Sequence, residues 1–558
     1  MHKGIVSTPR ASKLNLIRSA KMILILHYNP TARLARRPVP TIEELRKTRI
    51  EKLKKLQNAG LLAYPAKTNR THTISEALEN FGKLSKAKKR IVLAGRIMAQ
   101  RGHGGATFLD INDGSSITNF GQKEKERRLR KKENSPKLVM DKGKIQAIIK
   151  QDKVGEKGYQ FFMDVFDIAD FVEVKGILFT TQRGEKTIEV QDYKMLSKAL
   201  LPLPEKWHGI QDVEEKLRKR YLDIIFNPEI KEMIEKRAVF FASMREFLIK
   251  KGFLEVETPV LETIPGGADA RPFITHHNAL DMDVFLRISG GELWQKELMV
   301  AGFEKTFEIG RIFRNEGMDS EHLQDYTQME FYWAYADYEE GMKLVEEMYK
   351  YIAKKTFRTL KFKMKNFEID LGKKWEKYDY QSTIAKYTGV NIEEASLPEI
   401  EKVLQKLKID YDRKGFNITR AIDNLWKYCR KNISGPGFLI NVPIVMEPLA
   451  KRMPALSRAE GEKSNKVQRF QVILAGSEMG KGYSELNDPI DQAERFKEQQ
   501  KLREKGDEEA QRYDKDFIEA LEHGMPPTCG FGVSERLFAF LMDKPVRECQ
   551  IFPLMRPK

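Results

Sequence analysis

The stretch FEIGRIFRNEG, residues 307–317, decides how the rest of this 558-residue chain is interpreted. Its first part, FEIGRIF, is rich in apolar and β-branched residues and predicts a strand. Arg314 and Glu316 follow at the end of that strand, where an arginine fork can hold a phosphate and a carboxylate can accept from an exocyclic amine. From these residues alone a surface Arg–Glu pair is the simpler explanation, so the neighbouring motifs must decide.

Four common fingerprints of catalytic or nucleotide-binding sites are missing from the sequence. There is no GxxxxGK[ST] phosphate loop, no convincing GxGxxG after a strand, no GxSxG elbow and no HExxH metal motif. A nucleotide site in this chain must therefore hold phosphates with side chains on a rigid sheet. Arginine, with its planar fork of donors, is the residue type suited to that task.

The composition is that of a chain able to bury a large core. Hydrophobic residues make up 41% and charged residues 32% of the sequence, which excludes a mostly disordered chain and a collagen-like chain. No run of about 18 apolar residues occurs, so no membrane-spanning helix is expected. Cys429, Cys529 and Cys549 are too few and too scattered for a disulfide framework or a CxxC zinc site, which favours a reducing compartment.

Positive charge is concentrated in two segments of the chain. The net charge is 98 − 80 = +18, and residues 1–42 contribute eight basic residues and no acidic residue. Residues 115–144 contribute ten basic and four acidic residues, so the two segments together hold 14 of the 18 charges. This distribution indicates either a polyanion contact or solvated extensions, because the rest of the chain is nearly neutral.

The N-terminal part of the sequence predicts an extension followed by a barrel domain. Residues 1–40 are expected to form a basic, disordered extension, with an organellar transit peptide as the alternative. Residues 41–205 are expected to form the barrel domain, which begins with a helix over 41–60 and contains a solvated basic insert at 115–144. Five short β-rich segments predict the strands of the barrel: RIVLAGRIMAQ (90–100), TFLDIND (107–113), KIQAIIK (144–150), FVEVKGILFTT (171–181) and TIEVQDYKM (187–195).

Residues 206–558 are expected to form a second, larger domain. Asn227 and Pro228 predict the start of an amphipathic helix, because its apolar residues follow the 3.6-residue period, and Gly252 is expected to end it. The segment FLEVETPVL (253–261) then predicts a strand.

The remainder of this domain predicts a sheet interrupted by helices. Strand-like and turn-like runs alternate over 270–340, which favours an antiparallel sheet. A helical, charged insertion is expected at about 377–465. The segments FQVILAG (470–476) and CGFG (529–532) predict that strands return near the C-terminal end.

Longer motifs supply the context that the arginine motif needs. FLEVETPVL (253–261), FRNE (313–316) and GFGVSERL (530–537) resemble the three ordered motifs of class II aminoacyl-tRNA synthetases. Four segments strongly resemble class II lysyl-tRNA synthetases: PGGADARPFITHHNALDMD (265–283), FEIGRIFRNEG (307–317), EFYWAYADY (330–338) and GYSELNDP (482–489). The resemblance covers roughly residues 41–558 without the basic insert. It implies an α+β fold, with an oligonucleotide-binding β-barrel followed by a class II antiparallel sheet flanked by helices.

The resemblance implies a lysine–tRNA ligase that uses ATP and forms a lysyl-adenylate intermediate. Arg314 resembles the family arginine on the α-phosphate and the lysine carboxylate, and Arg536 resembles the arginine on the γ-phosphate; both are the expected catalytic residues. Glu316 matches the residue that contacts the adenine amine, and His322 matches one near the outer phosphates. Tyr326 occupies the adenine-stacking position, where the family usually has Phe.

The same resemblance implies a lysine pocket. Glu485 resembles the carboxylate that pairs with the ε-ammonium, since a buried charge must be paired, and Tyr332 resembles its hydrogen-bonding partner. Glu292 and the carbonyl of Gly267 resemble the α-amino contacts, although SGGELWQ (289–295) has one residue more than the family pattern. Acidic residues in this pocket also reject aspartate and asparagine, the substrates of the nearest relatives.

Two residues match the family positions that bind Mg²⁺. Glu478 keeps a carboxylate, but Gln471 offers a neutral amide, which is a weak ligand for a hard cation. Lys481 replaces an asparagine that usually lines the amino-acid site, and motif three is one residue shorter than usual. These departures indicate either an active divergent subfamily or an altered amino-acid preference.

In the barrel, four residues match family positions that read the anticodon of tRNA(Lys): Arg101, Phe108, Gln146 and Glu185. Aromatic stacking and hydrogen bonds to base edges suit that task, with a barrel-core position as the alternative for the phenylalanine. The resemblance further implies a cytoplasmic homodimer with no membrane partner. The rival functions are an aspartate- or asparagine-specific relative and a non-catalytic tRNA-binding paralogue; Glu485 argues against the first, and the two retained arginines argue against the second.

Overall fold

The computed structural model contains two compact units, one ending at Leu203 and the other beginning at Pro204. It describes residues 40–115, 143–204, 212–268, 270–317, 319, 321–364, 366–411, 413, 416–454, 464–504 and 510–557. The predicted N-terminal extension therefore lies outside the described residues except for Pro40. The basic insert also lies outside them, apart from Ser115, Gly143 and Lys144 at its ends.

The first unit is a closed barrel of five strands with short helices around it. The strands are β1 (Arg90–His103), β2 (Ala106–Asn112), β3 (Lys144–Lys150), β4 (Phe171–Thr180) and β5 (Lys186–Ser197). The helices are α1 (Ile42–Asn58), α2 (Ile74–Glu79), α3 (Phe81–Lys86), α4 (Gln151–Val154) and α5 (Glu156–Val165). The strands pair in the order β1-β2-β3-β5-β4, with β4 closing on β1. All five predicted strands are confirmed.

Alternate residues of the strands fill the interior of the barrel. In β2, Thr107, Leu109 and Ile111 are fully buried, whereas Phe108 between them is only half-buried. Successive side chains of a strand point to opposite faces, so the ring of Phe108 lies on the face away from the core. The barrel-core alternative for Phe108 is therefore wrong.

Helix α1 begins and ends at the signals in its sequence. The Oγ1 atom of Thr41 accepts from the backbone N–H of Glu44 at 3.2 Å, and Oε2 of Glu44 accepts from the backbone N–H of Thr41 at 2.7 Å. These two bonds form a reciprocal capping box, which satisfies two backbone donors at the start of the helix. Gly60 follows the helix with a φ of 74°, the left-handed conformation that ends many helices.

The second unit is built around one large sheet. Its helices are α6 (Val213–Arg218), α7 (Arg220–Phe226), α8 (Pro228–Lys250), α9 (Glu292–Val300), α10 (Tyr338–Phe357), α11 (Tyr380–Thr388), α12 (Leu397–Lys406), α13 (Ile418–Arg430), α14 (Pro489–Glu504), α15 (Lys515–Glu522) and α16 (Arg536–Leu541), with 3₁₀ turns at Ile444–Met446 and Val546–Cys549. Its strands are β6 (Leu254–Glu255), β7 (Leu261–Glu262), β8 (Ile274–His277), β9 (Met282–Leu286), β10 (Lys305–Phe313), β11 (Asp325–Ala334), β12 (Lys361–Met364), β13 (Phe367–Asp370), β14 (Glu376–Asp379), β15 (Gly437–Ile440), β16 (Arg469–Leu474), β17 (Ser477–Ser484) and β18 (Thr528–Ser534).

The large sheet has eight strands in the order β14-β15-β16-β17-β18-β11-β10-β6. Its inner neighbours are antiparallel, as the sequence predicts, but the two outermost pairs, β14–β15 and β10–β6, are parallel. A parallel pair needs a long crossover connection, and both edge pairs join strands that are separated by helices along the chain. Strands β14 and β15 come from the region predicted as a helical insertion, so that region also contributes to the sheet.

The prediction of one strand over FLEVETPVL is wrong, because only β6 and β7 at its two ends are strands. Between them, the backbone N–H of Thr258 donates to Oε2 of Glu308 at 3.0 Å and its hydroxyl donates to the same oxygen at 2.7 Å. Pro259 follows and has no N–H to give to a ladder. The backbone pairing is therefore interrupted at Thr258, which bonds to a side chain of β10, although the N–H of Val256 still donates to the carbonyl of Phe307 at 2.9 Å.

Helix α8 buries one face in the core of the second unit. Its buried residues are Met233, Phe240, Ser243, Met244, Phe247 and Leu248. The helix begins at Pro228 as predicted, but Asn227 does not cap it with its side chain. Instead, Nδ2 of Asn227 donates to Oδ1 of Asp223 at 2.6 Å. Among the described residues, none of the helices is long and apolar enough to span a membrane.

Candidate active site

One cavity of about 430 Å³ opens over the middle strands of the large sheet. Every residue that the sequence predicts for the second unit's site lines it: Gly267, Glu292, Arg314, Glu316, His322, Tyr326, Tyr332, Gln471, Glu478, Glu485 and Arg536. Neighbouring strands bring them together, because β16, β17, β18, β11 and β10 are adjacent in the sheet although they span the sequence from 305 to 534. The cavity has an arginine-rich end and an acidic end.

Arg314 lies at the arginine-rich end, directly after β10. Its Nε donates to the carbonyl of Ile288 at 3.2 Å, and its guanidinium carbon is 5.9 Å from the centroid of the Tyr326 ring. Among the described residues, its two terminal nitrogens have no hydrogen-bond partner. A fork anchored at Nε and free at its terminal nitrogens suits a bidentate contact with an anion.

Arg536 begins helix α16 and faces the same end of the cavity. Its guanidinium forms an ion pair with Glu321, and its Nη1 donates to the carbonyl of Glu478 at 3.4 Å. Its Nε is buried and has no hydrogen-bond partner in the part of the chain that the structure describes. An anion that binds here must compete with the Glu321 carboxylate for this guanidinium.

The segment between β10 and β11 carries Glu316 and His322 on the exposed rim of the cavity. Nδ1 of His322 lies 2.8 Å from Oδ2 of Asp319, and Oδ1 of Asp319 accepts from the backbone N–H of His322, also at 2.8 Å. The carbonyl of Glu316 accepts from Nε2 of Gln324 at 3.3 Å, which leaves the Glu316 carboxylate exposed.

The acidic end of the cavity is closed by buried carboxylates. Glu485 is 1% exposed, and Glu292 and Glu330 are also buried. Oε1 of Glu330 accepts from the backbone N–H of Gly290 at 2.6 Å, and its Oε2 accepts from the hydroxyl of Tyr332 at 3.2 Å. The Tyr332 partner predicted for Glu485 is therefore bonded to Glu330 instead.

Glu485 brings buried acceptors without a hydrogen-bond donor to this end. Among the described residues neither of its carboxylate oxygens has a hydrogen-bond partner, although Oε2 makes an ion pair with Nζ of Lys296 at 2.6 Å and Oε1 makes none. Gly530 makes room for Oε1, because a Cβ at that position would lie 2.1 Å from this oxygen. Leaving a buried acceptor unsatisfied costs about 1–3 kcal/mol, so the position points to a ligand donor.

The protonation of these carboxyl groups is sensitive to burial. Burial raises the pKa of Glu485 to about 8, and it raises the pKa of Glu330 to about 7 with a further contribution from the charge of Glu292. Nearby positive charge opposes the increase for Glu485, since Lys296 attracts its ionised form. Groups with such raised pKa values cluster at binding and catalytic sites.

Sequence reasoning missed Lys296 and Glu330 in this cluster. Nζ of Lys296 lies 2.7 Å from Oε1 of Glu292 and 2.6 Å from Oε2 of Glu485. Two spacings could have indicated them: Glu292 and Lys296 are four residues apart on a helix, and Glu330 and Tyr332 are two apart on a strand.

The two positions expected to bind Mg²⁺ are only partly suited to it. Oε1 of Glu478 accepts from Nε1 of Trp426 at 2.6 Å, and Oε1 of Gln471 accepts from Nη2 of Arg469 at 2.8 Å. No group of three or more His, Cys, Asp or Glu able to hold a metal ion occurs in the part of the chain that the structure describes. One carboxylate, Glu478, fits Mg²⁺ that is held mainly by substrate phosphates, which is a common mode for this ion.

Lys481 places a further positive charge beside Gln471. The two residues are direct partners in the β16–β17 pair. Nζ of Lys481 lies 2.9 Å from Oε2 of the buried Glu447, and Nε of Arg469 lies 3.3 Å from the same oxygen. The departures from the family pattern at 471 and 481 are therefore neighbours in space, and Arg469 links them, because it donates to Gln471 and shares the Glu447 carboxylate with Lys481.

The four residues predicted to read an anticodon lie on the barrel of the first unit. Arg101 pairs with Phe108 across β1 and β2, and Gln146 pairs with Thr187 across β3 and β5. The hydroxyl of Thr187 donates to Oε1 of Gln146 at 2.9 Å and lies 3.2 Å from the carbonyl of Glu185. Neighbouring strands thus bring the four positions onto one region of the barrel.

Comparison with known proteins agrees with the geometry of both units. The family model described as tRNA synthetases class II (D, K and N) matches residues 212–556. The chain is 43% identical over 530 residues to the lysine–tRNA ligase of Thermoanaerobacter sp. (strain X514), which covers 93% of this chain and 97% of that protein. It is 41% identical to the lysine–tRNA ligase of Carboxydothermus hydrogenoformans over 93% of this chain and 99% of that protein.

A third relative, the lysine–tRNA ligase of Thermosipho africanus, is 40% identical over 522 residues, or 92% of this chain and 97% of that protein. The matches extend across the barrel and the large sheet, since each covers more than nine tenths of both chains. On the agreement of fold, site and sequence, the chain belongs to the class II aminoacyl-tRNA synthetases, in the lysine–tRNA ligase family.

Proposed function

We propose that this protein attaches lysine to tRNA(Lys) in an ATP-dependent reaction that passes through lysyl-adenylate. The observation that carries this proposal is the distribution of charged groups in one cavity. Among the described residues, arginine nitrogens without a hydrogen-bond partner lie at one end, and a buried carboxylate oxygen without a partner lies at the other. An amino acid with a cationic side chain and an activated carboxyl group needs both ends. The named relatives are lysine–tRNA ligases, and the charges in the cavity explain why lysine would bind here.

At the acidic end, Oε1 of Glu485 accepts the ε-ammonium group of lysine. The carboxylates of Glu292 and Glu330 lie beside it. Together with the carbonyl of Gly267, they bind the α-ammonium group. Charged partners are necessary here, because an unpaired ammonium group in a buried site is strongly unfavourable. Aspartate would bring a negative charge to the same place and is rejected.

At the other end, Arg314 binds the lysine carboxylate and the α-phosphate of ATP. The carboxylate oxygen of lysine attacks the α-phosphorus, the bond to the bridging oxygen breaks, and pyrophosphate leaves with Arg536 and His322 near its outer phosphates. A hydroxyl group of the terminal ribose of the tRNA then attacks the acyl carbon, and AMP leaves. No side chain of the protein forms a covalent bond, so catalysis consists of positioning and charge neutralisation.

The adenine of ATP is recognised by two residues on the rim. Tyr326 stacks on the base, and the carboxylate of Glu316 accepts from its exocyclic amine. Mg²⁺ bound to the phosphates would supply additional positive charge, with Glu478 as the protein carboxylate that holds it and Gln471 as a weak neighbour. We propose that tRNA(Lys) is selected in the barrel, where Phe108 stacks on an anticodon base.

A second candidate function, a shifted amino-acid preference, has a specific observation in its favour. Lys481, which lines the cavity, makes an ion pair with the buried Glu447. Lys481 belongs to the β16–β17 pair, however, and the carboxylates proposed to bind the two ammonium groups of lysine are all present in this sequence. We therefore propose lysine as the substrate of this protein.

The test is ATP–pyrophosphate exchange with each amino acid in turn. The proposal expects exchange with lysine and little exchange with aspartate or asparagine. Exchange with another amino acid would favour the shifted preference, and no exchange with any amino acid would favour a non-catalytic tRNA-binding protein. Aminoacylation of tRNA(Lys) transcripts then tests the second step. We further propose that the protein acts in the cytoplasm as a homodimer.

A further inference from the structure

A cation of the protein itself lies behind the acidic end of the cavity. Lys296, on helix α9, is 1% exposed, and its Nζ lies between Oε1 of Glu292 at 2.7 Å and Oε2 of Glu485 at 2.6 Å. The rings of Tyr483 and Phe517 flank the ammonium group at 5.6 and 5.8 Å. Glu292 and Glu485 line the cavity, whereas Lys296 does not.

The ion pair divides the two oxygens of Glu485 between different roles. Oε2 makes the ion pair with Lys296, whereas Oε1 has neither an ion pair nor a hydrogen bond among the described residues. The groups that act on this carboxylate come from several elements: Lys296 and Glu292 on helix α9, Glu447 before β16, Tyr332 on β11, Tyr483 on β17 and Cys529 on β18. Of these, Lys296 alone carries a positive charge, so it is the group that favours an ionised Glu485.

The net charge of the ionised cluster also matches the two ammonium groups of lysine. Glu292, Glu330 and Glu485 carry three negative charges when ionised, and Lys296 carries one positive charge. Two negative charges remain, which equals the number of ammonium groups on a lysine molecule. Glu447 does not enter this balance, because Lys481 and Arg469 already face it.

We propose that Lys296 is a positioning residue for amino-acid recognition: it binds Oε2 of Glu485, supports the ionised carboxylate and leaves Oε1 for the ε-ammonium group of the substrate. This inference rests on the proposed function, because it assigns a role within the lysine site. Lys296 does not line the cavity, so it acts on the substrate through Glu485. The protein thus uses an internal lysine to prepare the site for lysine.

The test is the substitution Lys296→Met, which keeps much of the side-chain volume and removes the charge. Without Lys296, the pKa of Glu485 should rise above its already raised value, because an opposite charge at this distance moves a carboxyl pKa by about 1 to 3 units, and a smaller fraction of Glu485 is then ionised at neutral pH. The KM for lysine in pyrophosphate exchange should therefore increase about tenfold or more at pH 7, with the KM for ATP changed less than about twofold. The lysine KM of the variant should keep falling at pH values where the wild-type KM is already constant.

Lys198 provides a matched control. It is equally buried and also pairs with two carboxylates, Asp167 at 2.6 Å and Asp170 at 2.8 Å, but it belongs to the barrel unit. Lys198→Met removes a buried cation in the same way and should leave the lysine KM and its pH dependence unchanged. Lys296→Arg keeps the positive charge and should restore most of the wild-type pH profile.

Two outcomes would overturn the role of Lys296. The first is a Lys296→Met variant whose lysine KM and pH profile match those of Lys198→Met. The second concerns the double variant Lys296→Met with Glu485→Gln, which leaves no unpaired charge at that contact and remains informative if the single variant does not fold. A residue that acts through Glu485 adds nothing once Glu485 is neutral, so a lysine KM more than about threefold above that of Glu485→Gln alone would contradict the proposal. If the wild type shows no lysine-dependent exchange, the proposed function itself fails. If the wild type shows exchange and either of the two outcomes above occurs, only the role of Lys296 fails.

Discussion

Glu485 is the single residue on which recognition of the lysine side chain depends most. We expect Glu485→Gln to raise the KM for lysine strongly and to leave the KM for ATP nearly unchanged, because only the ammonium group loses its partner. Truncating one member of a buried charge pair typically costs about 2–5 kcal/mol. Steady-state pyrophosphate exchange at varied lysine measures the effect.

The surface pair Glu346–Lys350 gives a control for Glu485→Gln. Both side chains of this pair are partly exposed, and the pair lies four residues apart on helix α10. Glu346→Gln should leave both KM values unchanged, since exposed pairs contribute about 0–1 kcal/mol. An unchanged lysine KM in Glu485→Gln would remove Glu485 from the lysine site.

Burial of the same carboxyl groups predicts a pH dependence of lysine binding. Burial raises the pKa of Glu485 from 4.5 to about 8 and that of Glu330 from 4.5 to about 7, whereas an ammonium ligand needs the ionised forms. Lysine affinity should therefore increase as the pH rises from about 6 to about 8. Isothermal titration with lysine across this range measures it.

The stability of the unliganded protein should have the opposite dependence on pH. A carboxyl group whose pKa is raised by folding binds more protons in the folded state, so its contribution to stability is most favourable below pH 4.5 and is lost as the pH rises towards 8. The thermal shift that lysine produces should consequently be larger at pH 8 than at pH 6. A lysine affinity that is independent of pH, or equal pH slopes for the wild type and Glu485→Gln, would contradict this assignment.

At the scale of an element, the capping box of helix α1 makes a local and separable contribution. Thr41→Ala removes the bond from the backbone N–H of Glu44 to the threonine hydroxyl, and the loss of such a cap costs about 1 kcal/mol. Amide hydrogen exchange at the start of α1 should become roughly fivefold faster, since about 1.4 kcal/mol is a factor of ten.

Thr48 in the same helix gives the matched control for Thr41. It is exposed, and its hydroxyl donates only to the carbonyl of Glu44 one turn earlier. Thr48→Ala should change hydrogen exchange in α1 very little, because surface substitutions away from caps usually lie within about 0.5 kcal/mol. Equal exchange in the two variants would show that the box does not stabilise this helix.

At the scale of the whole molecule, exposed apolar side chains near the end of α8 support association into a homodimer. Ile249, Leu254 and Leu261 are each about half exposed. Exposed apolar surface often marks interfaces between chains. Light scattering at micromolar concentration should therefore give twice the chain mass of 64.7 kDa.

Leu254→Glu should shift this equilibrium towards the monomer, because it places a charge among those apolar residues. Leu62→Glu is the control, since Leu62 is an exposed leucine of the barrel unit. It should not change the measured mass. A wild-type mass of one chain would exclude the homodimer.

Local patterns determined a large part of this fold in advance. The five barrel strands and the helix that begins after Thr41 and ends before Gly60 depend on residues a few positions apart. The ordered motifs also determined which side chains line the cavity. Such features can be read from a sequence because backbone geometry repeats every two residues in strands and every 3.6 in helices.

Only the tertiary structure decided the rest, because it depends on partners far apart in the chain. The strand predicted over FLEVETPVL is interrupted at Thr258, which binds the side chain of Glu308, 50 residues away. Tyr332 bonds Glu330 rather than Glu485, and Lys296 pairs with Glu485 across 485 − 296 = 189 residues. In a buried site the stable arrangement of charges depends on the sum of all neighbours and on the loss of water around them. Spacing along the chain contains neither quantity, so the internal lysine of this site becomes visible only when helix α9 and strands β11 and β17 are brought together.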